Sequence, residues 1–285
     1  MLKKQKLILA CIDGSSVTEA VCDYSSWIAK AVNAPLKLLH TIEQAKAPVM
    51  ADYSGAIGLG SSEELLNELT EIEQQRQKLL LKQGQLMLDA AKKRINAAGI
   101  DSPQVRQMHG SLSESLIKLE EQIRVVVVGI RGESHEKLDE GVGTQLEAVI
   151  RSLHRPILVV NREFIEPKTV MLAYDGSESC KKALAMITSS PLFKNNLCHI
   201  VHVGDNEELL AEASEVLTEK GFTVETALLK GNGNVEEALA QYQRDSQIDL
   251  MMMGAFSHNR FRDFLLGSFT TKMLAATNRP LLLLR

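Results

Sequence analysis

The run Asp13-Gly14-Ser15, which closes a short apolar segment, recurs as Asp175-Gly176-Ser177, an offset of 162 residues. His40 recurs as His202 at that same offset, whereas Gly110 and Gly231 stand 121 apart, Gly129 and Gly254 125 apart, and Pro156 and Pro280 124 apart. A repeat that spans the whole chain means two copies of one folding unit stacked in sequence. The fall of the offset from 162 to about 124 puts roughly forty extra residues in the first copy, after its second apolar run. The reading is therefore a first domain over 1–162, with an insertion near 43–82, and a second over 163–285.

Each copy alternates short apolar runs with amphipathic ones. Leu7–Ile12, Pro35–Ile42, Val105–Gly110, Ile123–Gly129 and Arg155–Val160 read as strands, and the third, fourth and fifth positions of the second copy answer them. Continuous apolar runs such as Arg124-Val-Val-Val-Val128 suit strands covered on both faces. Capping boxes at Ser16–Glu19, Ser61–Glu64 and Ser111–Glu114 announce helix starts. Strand alternating with helix five times, twice over, predicts an α/β fold: two tandem doubly wound units, each a five-stranded parallel sheet with helices on both faces. In the long helical stretch that the Ser61–Glu64 box opens and that reaches roughly Ala98, Leu65, Leu69, Ile72, Leu79 and Leu86 fall near heptad spacing, broken by Arg76 and Gln83. That stripe reads first as a packed surface helix and second as a self-association seam.

Composition narrows the function. A net charge of −4 gives no overall basic field for nucleic acid or an anionic membrane. Four scattered cysteines without a C-x-x-C pair read as reduced buried thiols. Leu7–Asp13 is too short for a secretory core or a membrane span, so a soluble, cytoplasmic protein is expected. No Gly-x-x-x-x-Gly-Lys-Ser/Thr loop and no Gly-x-Ser-x-Gly elbow occurs, which removes the anchors of a Walker-type ATPase and of a hydrolase triad. His199 and His202 are three apart on a strand and face opposite sides, which argues against a shared metal. No catalytic residue and no metal ligand set is assigned.

What remains is an anion cradle. Gly254 ends an apolar strand, and Gly267-Ser268-Phe269-Thr270 opens a helix whose free N–H groups and dipole suit a phosphate. A weaker copy lies at Gly129, Gly132, Gly143 and Thr144. In a doubly wound sheet the loop after the first strand and the loop after the fourth meet in one crevice, which brings Asp13 and Asp175 to the two cradles.

Strand-Asp-Gly-Ser, a Gly-x-x-Gly followed by Gly-Ser or Gly-Thr, and a closing Arg-Pro with an apolar strand resemble the universal stress protein family in its tandem form. The resemblance covers the chain twice. It implies ATP as ligand, with or without Mg, with Asp175 and Val203 at adenine, Gly254 at ribose, and Gly267, Ser268, Phe269 and Thr270 at the phosphates. It also implies a pseudo-dimer formed within the chain by the fifth strands, Ile157–Val160 and Leu281–Leu284; a homodimer and an unknown protein partner stay open. Ser257 stands where the pattern has glycine. The first copy departs further: its loop is one residue longer and carries Glu133, Glu136, Asp139 and Glu140, which repel a phosphate unless a cation intervenes. Asp13, Thr41, Gly129, Gly132, Gly143 and Thr144 are accordingly the weaker site. The expectation is a stress-response regulatory protein that binds ATP mainly in the second domain with little or no hydrolysis. The competing one is an interaction module that holds a non-nucleotide apolar ligand or none.

Overall fold

The computed structural model describes residues 5–43, 59–130, 144–230, 234–254 and 268–285, with the backbone alone for 59–66 and 268. Ser257, Gly267, Gly132, Gly143 and the acidic residues 133–140 lie outside the described residues, as does most of the glycine segment before Leu59.

The first copy runs β1 (Leu7–Cys11), α1 (Thr18–Ala31), β2 (Leu36–Ile42), α2 (Leu59–Ala97), β3 (Gln104–His109), α3 (Leu112–Leu119), β4 (Ile123–Gly129), α4 (Thr144–Ser152) and β5 (Ile157–Val160). The second runs β6 (Thr169–Ala173), α5 (Glu178–Ser189), β7 (Leu197–Val203), α6 (Glu207–Glu219), β8 (Thr223–Leu229), α7 (Val235–Asp245), β9 (Leu250–Gly254), α8 (Ser268–Ala276) and β10 (Leu281–Leu284). The strands form one ten-stranded sheet in the order β3-β2-β1-β4-β5-β10-β9-β6-β7-β8. Every neighbouring pair is parallel except β5 and β10, where Leu158 meets Leu282 antiparallel. Each fifth strand is thus the cover for the other's edge, which removes two apolar edges that would otherwise template aggregation. The parallel αβ pattern and the pairing of the fifth strands agree with the sequence reading.

Alternate side chains of each strand feed two cores. One gathers Ile8, Leu38, Leu172 and Ile200 under α1, α2, α5 and α6; the other gathers Leu9, Val126, Met171 and Met251 under α3, α4, α7 and α8. The period-2 alternation of a strand makes this division automatic. Tyr24 of α1 ties the copies together, its hydroxyl donating to Ile165 O at 3.2 Å and its ring meeting Phe164 edge-on.

Two local expectations differ from the structure. The Ser16–Glu19 capping box does not start α1, which begins at Thr18 with Val17 at the cap position and no side-chain cap bond. The turn before the helix is held by Asp13, which accepts from the Ser15 amide and hydroxyl and from the Thr18 hydroxyl. Likewise Ser61–Glu64 falls inside α2, which already begins at Leu59. By contrast Ser111 does cap α3, accepting from Glu114 N at 3.3 Å.

Helix α2 is 39 residues long against 13 for its counterpart α6. Its C-terminal part packs through Leu88, Ala91 and Ile95, and Arg94 clamps it to Asp23 and Glu19 of α1 at 2.6–2.8 Å. The heptad stripe does not pack: Ile72, Leu79 and Leu86 are 55%, 68% and 62% exposed. Gly84 is what lets α2 approach the sheet, since a Cβ there would sit 2.4 Å from the His40 ring and 2.2 Å from Gln107 Nε2. Glycine inside a helix costs about 1 kcal/mol relative to alanine, so close approach explains its presence here.

Candidate functional site

The carboxyl ends of the strands form two hollows, one per copy, built on the same frame. In each, an aspartate follows the first strand and a glycine in the left-handed region turns the chain, Gly14 at φ +78° and Gly176 at φ +74°. In each, a histidine at the end of the second strand gives its Nδ1 hydrogen to the carbonyl that precedes the aspartate: His40 to Ile12 O at 2.7 Å, and His202 to Tyr174 O at 2.8 Å. A carbonyl only accepts, so Nδ1 carries the proton in both rings and Nε2 is left as the acceptor of the neutral imidazole. The histidine repeat is thereby explained as a bolt between the first two strands.

The second hollow is a cavity of about 530 Å³. Asp175, Val203, Gly254 and Phe269 of the sequence-assigned residues line it together, with Tyr174, His202 and Leu239. Asp175 Oδ1 accepts from Ser177 N at 2.9 Å, and Ser177 in turn caps α5 through Cys180 N. A Cβ on Gly254 would lie 3.1 Å from the Ser179 carbonyl carbon and 3.2 Å from Cys180 N. This glycine therefore serves the packing of β9 against the first turn of α5 as well as the floor of the cavity. Thr270 is buried in α8, outside the described lining, and α8 begins at Ser268.

The first hollow is a cavity of about 350 Å³ that brings together Asp13, Thr41 and Gly129. Here Asp13 Oδ1 accepts from Ser15 N at 3.1 Å, Ser15 Oγ at 2.8 Å and Thr18 Oγ1 at 3.1 Å. Cys180 occupies the position of Thr18 in the second copy, a weak donor in place of a strong one. Thr144 is exposed at the start of α4, and its neighbour Gln145 reaches the lining, donating to Glu43 Oε1 at 2.7 Å.

Residues that sequence reasoning had not assigned also line this first cavity: Arg76, Leu80, Gln83 and Met87, all from α2. The insertion therefore walls the first hollow, and nothing comparable stands over the second among the described residues. The available signal was Gly84, a glycine in mid-helix that marks a close approach.

Burial pushes the Cys11 and Cys180 thiols up, and those of both Cys22 and Cys198 up to about 12. All four are free and buried. Among the described residues no group of three or more histidine, cysteine or carboxylate side chains is arranged to hold a metal ion, and no described helix is long and apolar enough to cross a membrane.

Comparison with known proteins fits this geometry. The universal stress protein family model matches residues 5–161 and again 166–285. A universal stress protein of Synechocystis sp. is 38% identical over 288 residues, covering 98% of this chain and 100% of that protein. Among solved structures, a universal stress protein from Archaeoglobus fulgidus superposes with a TM-score of 0.71 at 19% identity, over 97% of this chain and 95% of that one. A protein described as a putative universal stress protein from Pseudomonas aeruginosa gives 0.61 at 14% identity, over 98% and 93%. With a doubly matched family model and a full-length relative at this identity, the chain belongs to the universal stress protein family, as a tandem of two such domains.

Proposed function

We propose that this chain is a nucleotide-binding regulatory protein that takes ATP in its second domain and hydrolyses it slowly or not at all. The observation that carries the proposal is the convergence of Asp175, Val203 and Gly254, from three separate strand ends, on one cavity of about 530 Å³. That volume is within the range of small-molecule sites. Val203, Leu239 and Phe269 offer apolar surface for a base, and the Asp175 carboxylate, which lines the same cavity, is an acceptor suited to an exocyclic amino group. The residues present therefore fit the adenosine part. The N-terminus of α8 contributes free amides and a positive dipole end toward phosphate. The phosphate assignment to Ser257, Gly267, Ser268 and Thr270 rests on the sequence pattern, and Mg²⁺ would arrive with the triphosphate.

The first domain is the secondary site. Asp13, Thr41 and Gly129 repeat the frame, but α2 walls this hollow and the loop after Gly129 is longer and acidic. Little or no hydrolysis is proposed because the sequence offers no placed catalytic base or water-orienting residue for a γ-phosphate. The output is a change in the surface that a protein partner reads. Isothermal titration with ATP and magnesium, run on the parent, Asp175→Ala and Gly267→Val, tests this. A loss of at least tenfold in affinity in both variants is expected; equal affinity in all three would sink the assignment.

A further inference from the structure

A second kind of cavity lies far from the nucleotide hollows, at the junction of the two domains. It is a groove of about 300 Å³ between α1 and α5, above the strands β4, β5 and β10. Its floor is apolar, with Val125, Leu158 and Leu282, and its walls are Trp27, Met186 and Leu192. Its remaining lining includes Lys6, Arg124, Arg155 and Arg285, with no aspartate or glutamate. In a chain with 36 acidic residues against 32 basic ones, that lining is unusually basic, and a carboxylate next to it, Glu120, accepts from His154 N and faces the Arg285 end. Two of the four are already oriented by the fold: Arg155 Nε donates to Glu120 O at 3.0 Å, and Arg285 donates to Ile150 O and Leu153 O.

The repeat does not copy this rim. Ile8 pairs with Val125 and its equivalent Val170 pairs with Leu250, so Arg124 corresponds to Asp249. Asp249 is occupied elsewhere, accepting from the amides of Lys168 and Thr169 at 2.9 and 3.1 Å. Trp27 likewise corresponds to Ser189 across the groove, both of them lining it. An apolar trough with cations on one side is therefore a property of this particular junction, and not of the frame that all ten strands share.

We propose that this groove binds a free fatty-acid-like ligand, its acyl chain along the apolar floor and its carboxylate at Arg124, Arg155 and Lys6. Taking a methylene as roughly a water's share of volume, ~30 Å³, the groove holds a chain of about ten carbons. Arginine suits the head group because its planar fork pairs with a carboxylate through two hydrogen bonds. The groove shares no lining residue with either nucleotide hollow.

Trp27 is the only tryptophan of the chain, so its emission reports the groove directly. The full-length protein would be titrated with monomeric decanoate, following Trp27 fluorescence and heat together, and then with decanol. Saturable one-to-one binding is expected, with decanol at least tenfold weaker. Arg124→Glu should weaken decanoate at least tenfold, and Val125→Phe, which fills the floor, should weaken both ligands. Thermal unfolding of the variants at the parent's midpoint keeps these losses attributable to the groove. Absence of saturable binding, equal affinity for decanoate and decanol, or unchanged affinity in both variants overturns the proposal, as does binding to anionic vesicles with none to the monomer.

Discussion

The two hollows share an aspartate turn, a left-handed glycine and a histidine bolt, yet they differ in what surrounds that frame. In the first, three donors converge on Asp13, Glu43 and Gln145 bridge at the rim, and a 39-residue helix supplies Arg76, Gln83 and Met87 to the wall of a cavity of about 350 Å³. In the second, a 13-residue helix stops short, Cys180 replaces Thr18, and the cavity is about 530 Å³. Duplication supplied two equal crevices. The insertion walls one of them, and the nucleotide is proposed for the other because its motif lacks the lengthened, acidic loop of the first copy.

The difference is most severely tested at Gly84. Alanine normally stabilises a helix relative to glycine, but here its Cβ would overlap the His40 ring, which the bond to Ile12 O holds in place. Gly84→Leu should cost about 3 kcal/mol by overpacking, and Gly84→Ala about 1 kcal/mol, measured by urea unfolding. Stabilisation by alanine would show that α2 does not dock as described. Next in size is Asp13→Ala, which strands the Ser15 amide and two hydroxyls; a loss of about 2 kcal/mol is expected, with ATP affinity retained. Retained stability together with lost affinity would reverse the roles of the two domains.

A smaller effect separates the two serines of the repeat. Ser177→Ala removes a true helix cap and should cost about 1 kcal/mol, rescued by Ser177→Asp; Ser15→Asp, at a position that caps no helix and abuts the Asp13 carboxylate, should destabilise instead. Equal behaviour of the two aspartate variants would mean that the turns are the same after all. The last effect is common to both domains. Each holds two buried thiols whose protons the folded state retains above their ordinary value of 9.0. The unfolded chain releases those protons first, so folding stability is intact below about pH 9 and falls as pH rises toward about 12 for Cys22 and Cys198. Urea midpoints at pH 8 and 10.5 check this, and Cys198→Ala should flatten the decline; an unchanged slope in that variant would remove Cys198 from the account.

Much of the fold was legible because repetition amplifies weak signals. A single Asp-Gly-Ser is only a turn, but its recurrence together with the repeats of His40, Gly129 and Pro156 marks two copies of one five-stranded α/β unit. The β5–β10 contact was an implication of the family resemblance, to which the sequence itself added only that both fifth strands are apolar. Other features were illegible for physical reasons. Ser16–Glu19 has the letters of a capping box, but α1 begins at Thr18, after a turn held by Asp13, a side chain outside the motif. The heptad stripe of α2 identified a helix face without saying whether anything covers it. The wall over the first hollow comes from residues whose spacing carries no chemical signature, and only the glycine at position 84 hinted at the contact.

Stoichiometry tests the central asymmetry most directly. Native mass spectrometry of the full-length protein with ATP and magnesium, at a concentration that saturates the tighter site, should show one nucleotide on the parent, one on Asp13→Ala and none on Asp175→Ala. Two nucleotides of equal occupancy on the parent, or one retained by Asp175→Ala and lost from Asp13→Ala, would contradict the assignment of the site to the second domain.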